Sequence, residues 1–361
     1  MEQGDHVSPD PRRRATTAER ALVTAGNRTT SRIRGEIRKR VPIQNVPTVP
    51  HEDLRSTWKQ ARPGRIRASF DVAQSQDPGG WYVVARSEAV GRKRSVTRTV
   101  ASREIVLWRD ESGTLMAGPG TCPHLGALLD DCEVIRGDVV CRWHGMALGA
   151  SGEAGWNPVV AYDDGVLAWV RLPTSGETPT DRPTLTDRPP LDGSIAAVVE
   201  IPGVCEPQDI IANRLDPWHG AWYHPYAFSH LVVDDDASDD KVLVVDVTFR
   251  LTPRLGVPVR AEFACPDART IVMTIVDGEG AGSVVETHAT PIGPDPWGRP
   301  RTMMTEATIA YSPRTGFDVA RRVQALVKPP MKRTAARLWV DDMAYAERRY
   351  LLRARGDDFG A

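Results

Sequence analysis

From Gly80 onward the chain is marked by short runs of β-branched and aromatic residues. Trp81–Ala85, Ser95–Val100 and Glu104–Trp108 have strand lengths, Asp110–Gly113 is a turn that separates a pair of such runs, and Gly165–Leu172 repeats the pattern. These predict strands of a small antiparallel domain. A second set follows Ile195: Lys241–Leu251, Val259–Phe263, Thr270–Val276, Ser283–Thr290 and Met303–Tyr311, divided by Gly- or Pro-rich turns at Asp277–Gly282 and Pro291–Pro300. From about Phe317 to Arg355 the pattern turns helical, with a break expected at Pro329-Pro330. A sheet followed by a long helix is an α+β order.

The two patterned regions are separated by Pro173–Gly193, a Pro- and Thr-rich stretch that repeats Thr-Asp-Arg-Pro and holds too few apolar residues for a core. It reads as an extended linker. Residues 1 to about 75 are polar and Arg-rich, with Arg12-Arg13-Arg14 and Arg38-Lys39-Arg40, and read as a mobile arm with one helix near Ala18–Arg40. The expected organisation is a basic, mostly disordered arm (1–78), a small β domain (79–173), the linker (174–194) and a larger α+β domain (195–361). At 361 residues two cores are affordable, and a net charge of −1 gives no global field for nucleic acid or membrane. The basic arm is then a solvated tail rather than a nucleic-acid contact. No apolar run approaches the ~18 residues of a membrane span, and the start is not of secretory type. A soluble, cytoplasmic protein is expected.

Chemistry concentrates in Thr121–Gly149. Cys122-Pro-His124 and Cys141-Arg-Trp-His144 place one Cys and one His in each of two short loops. Two thiolates and two imidazoles suit a metal. Tetrahedral zinc accepts that set, but zinc fingers usually pair Cys with Cys and His with His along the chain. One Cys and one His per loop suits a [2Fe-2S] cluster in which the Cys pair holds one iron and the His pair the other. On these residues the stretch resembles the Rieske family, over about Trp81 to Pro173. Rieske proteins of respiratory complexes carry an extra Cys in each loop; Ala127 and Trp143 stand at the matching positions, so the resemblance is to the oxygenase and ferredoxin branch, with a potential toward the low end of the range. Leu125 departs from that branch, where an Arg often follows the His. Cys132, Cys205 and Cys265 are left over and read as reduced and mostly buried.

A second group lies beyond the linker, in Asn213-Arg-Leu-Asp216-Pro-Trp-His219 and on to His224-Pro225. Five steps at ~100° put the two imidazoles about 140° apart on an ideal helix. They converge only where the helix loosens, and Pro225 supplies an end. With the upstream loops, the pattern resembles the catalytic domain of Rieske non-haem iron oxygenases, which implies a helix-grip fold. The resemblance implies that His219 and His224, with one distant carboxylate, hold a mononuclear Fe(II) and leave positions open for O2 and substrate. On the C-terminal helix, Ala335, Trp339, Met343, Ala346 and Tyr350 share a face with Asp342, whereas Asp341 points almost opposite, toward solvent. An acid on an apolar face must be neutralised, paired or metal-bound, which singles out Asp342. The oxygenases also carry this Asp with a Glu five residues on, here Glu347. Asp216 is either a helix N-cap before Pro217 or, as the resemblance implies, a link between His219 and His144 of a neighbouring copy. Asn213 matches a recurrent Asn of the motif and sits behind the ligands.

The resemblance implies O2-dependent hydroxylation, dihydroxylation, demethylation or desaturation. No G-x-G-x-x-G follows a strand, so the electrons of NAD(P)H are expected through a separate flavin or ferredoxin-type reductase. The resemblance also implies a head-to-tail ring, most often a trimer. Val284–Pro291 and Trp297 are expected along the substrate pocket, and a bulky apolar substrate is favoured. Arg250, Arg254 and Arg260 are the candidates for a carboxylate clamp should the substrate be an acid. The alternative is a Rieske electron-transfer protein whose C-terminal domain holds no iron.

Overall fold

Two antiparallel β systems follow one another, as the two sets of β-branched runs require. The computed structural model describes residues 43–153 and 155–357. From Asn45 onward the chain belongs to one compact unit.

The first α-helix among the described residues, α1 (Pro63–Gln74), falls inside the expected mobile arm and corrects that part of it. Phe70 and Ala73 are buried in a core shared with Ile211, Leu215 and Trp218, and Ile66 packs against it. The apolar stripe at 66, 70 and 73 is short and set among arginines, so it carries little periodic signal, while Pro63 at the first helical position suits a helix start. The helix expected near Ala18–Arg40 lies outside the described residues.

The small domain is all β. Its strands are β1 (Trp81–Arg86), β2 (Val96–Val100), β3 (Arg103–Arg109), β4 (Leu115–Pro119), β5 (Glu133–Ile135), β6 (Asp138–Val140), β7 (Ala147–Leu148), β8 (Val160–Asp163) and β9 (Leu167–Arg171). They form three small sheets, β1-β9-β8, β2-β3-β4 and β5-β6-β7. Val106, Trp108, Leu129, Val139 and Leu148 form a packed floor that also includes Cys122 and Cys141. That floor holds the two Cys/His loops in place.

Residues 173–190 of the linker form no helix or strand, and the segment is pinned. Arg188 donates to both oxygens of Glu286 at 2.5 and 2.6 Å and pairs with Asp164 of the small domain at 2.8 Å; Thr186 donates to Glu286 at 2.6 Å. A segment with no core of its own is held by charge-assisted hydrogen bonds instead.

The large domain comprises β10 (Ile195–Gly203), α2 (Pro207–Arg214), α3 (His219–Tyr223), β11 (Phe228–Val233), β12 (Val242–Thr252), β13 (Leu255–Asp267), β14 (Thr270–Gly278), β15 (Val284–Pro294), β16 (Pro300–Ala310), α4 (Thr315–Arg322) and α5 (Gln324–Ala354). The strands lie in the order β10-β16-β15-β14-β13-β12-β11, all antiparallel. Helix α5 buries Trp339, Met343 and Ala346 against Val199, Cys205, Ile210 and Met304. It runs unbroken through Pro329 and Pro330, which corrects the expected break. Two prolines remove two N–H donors near the start of a 31-residue helix. The later turns are anchored independently, because Arg349 and Arg353 reach the fully buried Asp209 of α2 at 2.6 and 2.9 Å. No helix among the described residues is long and apolar enough to cross a membrane.

Candidate metal centres

The two cluster loops are built alike. Cys122 N–H donates to Ala127 O at 2.8 Å and Gly126 N–H to Cys122 O at 3.0 Å; Cys141 N–H donates to Met146 O at 2.8 Å and Gly145 N–H to Cys141 O at 2.9 Å. Each loop closes through a glycine at φ +78° or +75°, a conformation that other residues adopt at a cost. Both Cys are 2% exposed, whereas His124 and His144 are exposed, their ring centroids 4.7 Å apart. Burial pushes the Cys122 thiol up, and the neighbouring Cys141 adds to the rise.

The donor set tests the choice between one zinc ion and a two-iron cluster. A single ion needs its ligands around one point. Among the described residues only His219, His224 and Asp342 bring three such atoms within 4.8 Å of one another. The Cys pair and the His pair therefore do not converge on one centre, which fits a group with Cys at one end and His at the other. Cys205 and Cys265 have thiols pushed up to about 12, in both cases by burial first, and all five Cys are free.

The second site is assembled from three elements. Helix α3 lasts only five residues, and His224 leaves it with φ −118° and ψ 54°. That departure turns the His224 ring toward His219, with centroids 5.2 Å apart. Asp342, 3% exposed, arrives from α5. Its Oδ1 lies 3.1 Å from His219 Nε2 and 2.9 Å from His224 Nε2, and Asn213 Nδ2 donates to it at 3.3 Å. Burial alone would raise the Asp342 pKa; contact with the two imidazoles overrides it and holds the group below the usual range. Two imidazoles and a carboxylate meeting at one point, with no other cation paired to the carboxylate among the described residues, fit a divalent metal of the facial-triad type.

Each imidazole is oriented from behind. His219 Nδ1 meets the Asp216 carbonyl oxygen and stands 3.8 Å from Asp216 Oδ2. Tyr345 donates to Asp216 Oδ2 at 3.4 Å, and Asp216 Oδ1 is buried without a partner. Burial raises the Asp216 pKa, against the pull of His219. The helix begins at His219 with no side-chain cap, so Asp216 is not the N-cap that Pro217 suggested. Asp341 is also corrected: it is not a bystander at the surface. Its Oδ2 accepts from Tyr226 O–H at 2.6 Å and lies 3.6 Å from His224 Nδ1. Tyr226 lies two residues past His224, and the turn between them folds its hydroxyl back, which a helical wheel of α5 cannot show. Glu347 Oε1 accepts from Val204 N–H at 2.8 Å.

These ligands line a cavity of about 550 Å³ whose walls include Val245, Val247, Phe263, Met273, Ile275 and Val285. It shares Phe228, Phe249 and Arg250 with a second hollow of about 800 Å³. Of the expected lining stretch Val285 faces the cavity, while Glu286 and His288 are bonded elsewhere. Trp297 does not line it: it is 79% exposed, with Arg299 over its ring. Arg250 lines it but is bonded to the carbonyls of Val46, Pro47 and Pro253, and Arg260 pairs with Asp234 and Asp246. Arg214 and Glu306 also line the cavity, which their sequence surroundings did not lead one to expect. Their signal is a lone acid in the otherwise uncharged Thr302–Ala310 and an Arg between Asn213 and Asp216.

Family comparison divides the chain as the fold does. Residues 80–168 match the Rieske [2Fe-2S] domain, and residues 174–357 match a family described as Domain of unknown function (DUF5914). The oxygenase component of chloroacetanilide N-alkylformylase from Rhizorhabdus wittichii is 37% identical over 94 residues, 26% of either chain. Cholesterol 7-desaturase of Caenorhabditis elegans is 32% identical over 105 residues, 28% of this chain and 23% of that protein. The matches thus span about a quarter of the curated relatives. The solved structure of dicamba monooxygenase bound to dicamba superposes with a TM-score of 0.56 at 15% identity, covering 77% of this chain and 89% of that one. The likeness in fold therefore extends over both domains.

Proposed function

The chain belongs to the DUF5914 family and joins a Rieske [2Fe-2S] domain to a helix-grip domain, and from that premise we propose that it is the terminal oxygenase component of a Rieske non-haem iron system. It would hydroxylate, demethylate or desaturate a bulky apolar substrate with O2, drawing NAD(P)H electrons through a separate reductase. The observation that carries this reading is the meeting of His219 Nε2, His224 Nε2 and Asp342 Oδ1 on the wall of a mostly apolar cavity. Iron held there would supply the oxygen chemistry, with positions left open beside its three ligands.

The chain's own residues do the rest. Cys122, His124, Cys141 and His144 are assigned to the cluster. Asn213 fixes the Asp342 carboxylate, Asp341 and Tyr226 steady His224, and Asp216 steadies His219. Such partners set ring orientation and ligand basicity. The valine, isoleucine and phenylalanine walls give the reacting end an apolar lining. Asp216 Oδ1, buried and unpartnered, supports a route from His144 of a neighbouring copy to His219 and hence a ring of copies, read as a homotrimer. Free thiols at Cys132, Cys205 and Cys265 support the cytoplasm as the compartment.

A carrier with a non-catalytic C-terminal domain is the competing reading, and the complete set of three ligands favours the enzyme. Iron analysis separates them: about three irons per chain for the enzyme, about two for the carrier. Product formation with a surrogate reductase, scored against Asp342→Ala, is the functional test. A variant as active as the parent removes Asp342 from the site.

A further inference from the structure

Two charged side chains face the cavity with hydrogen-bonding capacity to spare. Arg214, the last residue of α2, makes no side-chain hydrogen bond or ion pair among the described residues, and its Nε is buried without a partner. Its guanidinium lies 5.6 Å from the Phe263 ring centre and 5.8 Å from that of Trp339. Glu306, on β16, is 6% exposed. Trp339 Nε1 donates to its Oε2 at 2.6 Å, while Oε1 has no donor among the described residues. Burial raises the Glu306 pKa against the pull of the Arg214 charge, yet the two form no ion pair.

A guanidinium and a carboxylate oxygen that open onto a largely apolar cavity without a protein partner are costly unless water or a bound group satisfies them. Direct pairing would relieve the cost and is not what the geometry adopts. Trp339 also ties Glu306 to the metal ligand, because Asp342 follows three residues later on the same helix. Whatever bridges Arg214 and Glu306 is thereby held at a fixed offset from the reacting centre.

We infer that Arg214 and Glu306 form a recognition site for one hydroxyl group on an otherwise apolar polycyclic substrate. A hydroxyl oxygen accepts from Arg214 while its proton goes to Glu306 Oε1, so one group satisfies both. A carboxylate satisfies Arg214 but meets two acids, Glu306 and Asp342. A ketone brings no proton for Glu306, and a hydrocarbon leaves both bare. This deepens the oxygenase reading and rests on it for what happens to the bound molecule, but the binding itself is separately measurable.

The test is calorimetric titration of the iron-loaded chain with trans-decahydro-2-naphthol, trans-2-decalone and trans-decalin, which share one carbon skeleton. The alcohol is expected to bind at least about tenfold more tightly than decalin, as a hydrogen bond to a charged group allows. Glu306→Gln, close in shape, should cut that preference several-fold and tighten the decalone, because the new amide donates. Arg214→Met should weaken alcohol and ketone alike. Iron content and circular dichroism check that each variant is folded. Equal binding of alcohol and decalin, an alcohol preference unchanged in both variants, or no binding of any probe to a fully loaded chain overturns the inference. Iron missing from the second site while the alcohol preference persists overturns the oxygenase reading instead and leaves this one standing.

Discussion

At the cluster loops the two Cys are buried and the two His face solvent; at the second site His224 and Asp342 are buried and only His219 is partly open. The first centre is made by two local loops, each closed by its own backbone hydrogen bonds and a positive-φ glycine. The second draws its ligands from α3 and α5, more than a hundred residues apart, with Asn213 of α2 behind them. An exposed imidazole edge suits exchange of electrons with a partner, and a largely apolar cavity suits the holding of an apolar molecule beside the ligands. The first centre thus depends on local chain geometry, whereas the second depends on the packing of α5.

The two centres are expected to fill independently of each other. Asp342→Ala should reduce product formation to background while the visible absorbance of the cluster stays intact. Cys141→Ser should remove that absorbance and leave iron at the second site. Loss of both signals from either substitution would contradict the separation.

Packing of α5 is the next lever. Asp209→Ala leaves Arg349 and Arg353 without their buried carboxylate and should cost about 3–5 kcal/mol by denaturant unfolding, releasing second-site iron before the cluster bleaches. The joint between the domains responds to acid. Burial opposes ionisation of Glu286, but Arg188, aided by His288, outweighs it and lowers the pKa from 4.5 to about 2. A group depressed on folding stabilises above its unfolded pKa and loses that contribution as pH falls through the folded one. Roughly 3 kcal/mol should therefore disappear between about pH 4.5 and pH 2. Glu286→Gln should flatten that part of the stability profile. The smallest effect is expected behind His224: Asp341→Asn or Tyr226→Phe should weaken second-site iron about 10–100-fold without touching the cluster, as read by competition with a chelator.

Much of this is legible in the amino-acid sequence. The strands at Lys241–Leu251 and Thr270–Val276 announce themselves by their runs of β-branched residues, and one helical face distinguishes Asp342 from Asp341. Other features are hidden there for physical reasons. The stripe of α1 is too short to stand out among arginines. The continuity of α5 through Pro329-Pro330 depends on anchors beyond the prolines. Asp341 finds its role through Tyr226 and His224, the first a contact across 115 positions. Trp297, expected along the pocket, is exposed instead, because nothing in its own turn dictates which way the ring faces.

By itself, the order of residues determined what is local: the two Cys/His loops with their glycines, the strand periods and the apolar face that carries Asp342. These depend on backbone geometry within a few positions, which residue types encode directly. Only the tertiary structure decided that His219, His224 and Asp342 share a point, that the linker is pinned through Arg188, and that Arg214 and Glu306 face one cavity unpaired. Those outcomes rest on long-range packing, where a side chain's neighbours come from strands and helices that no local pattern identifies.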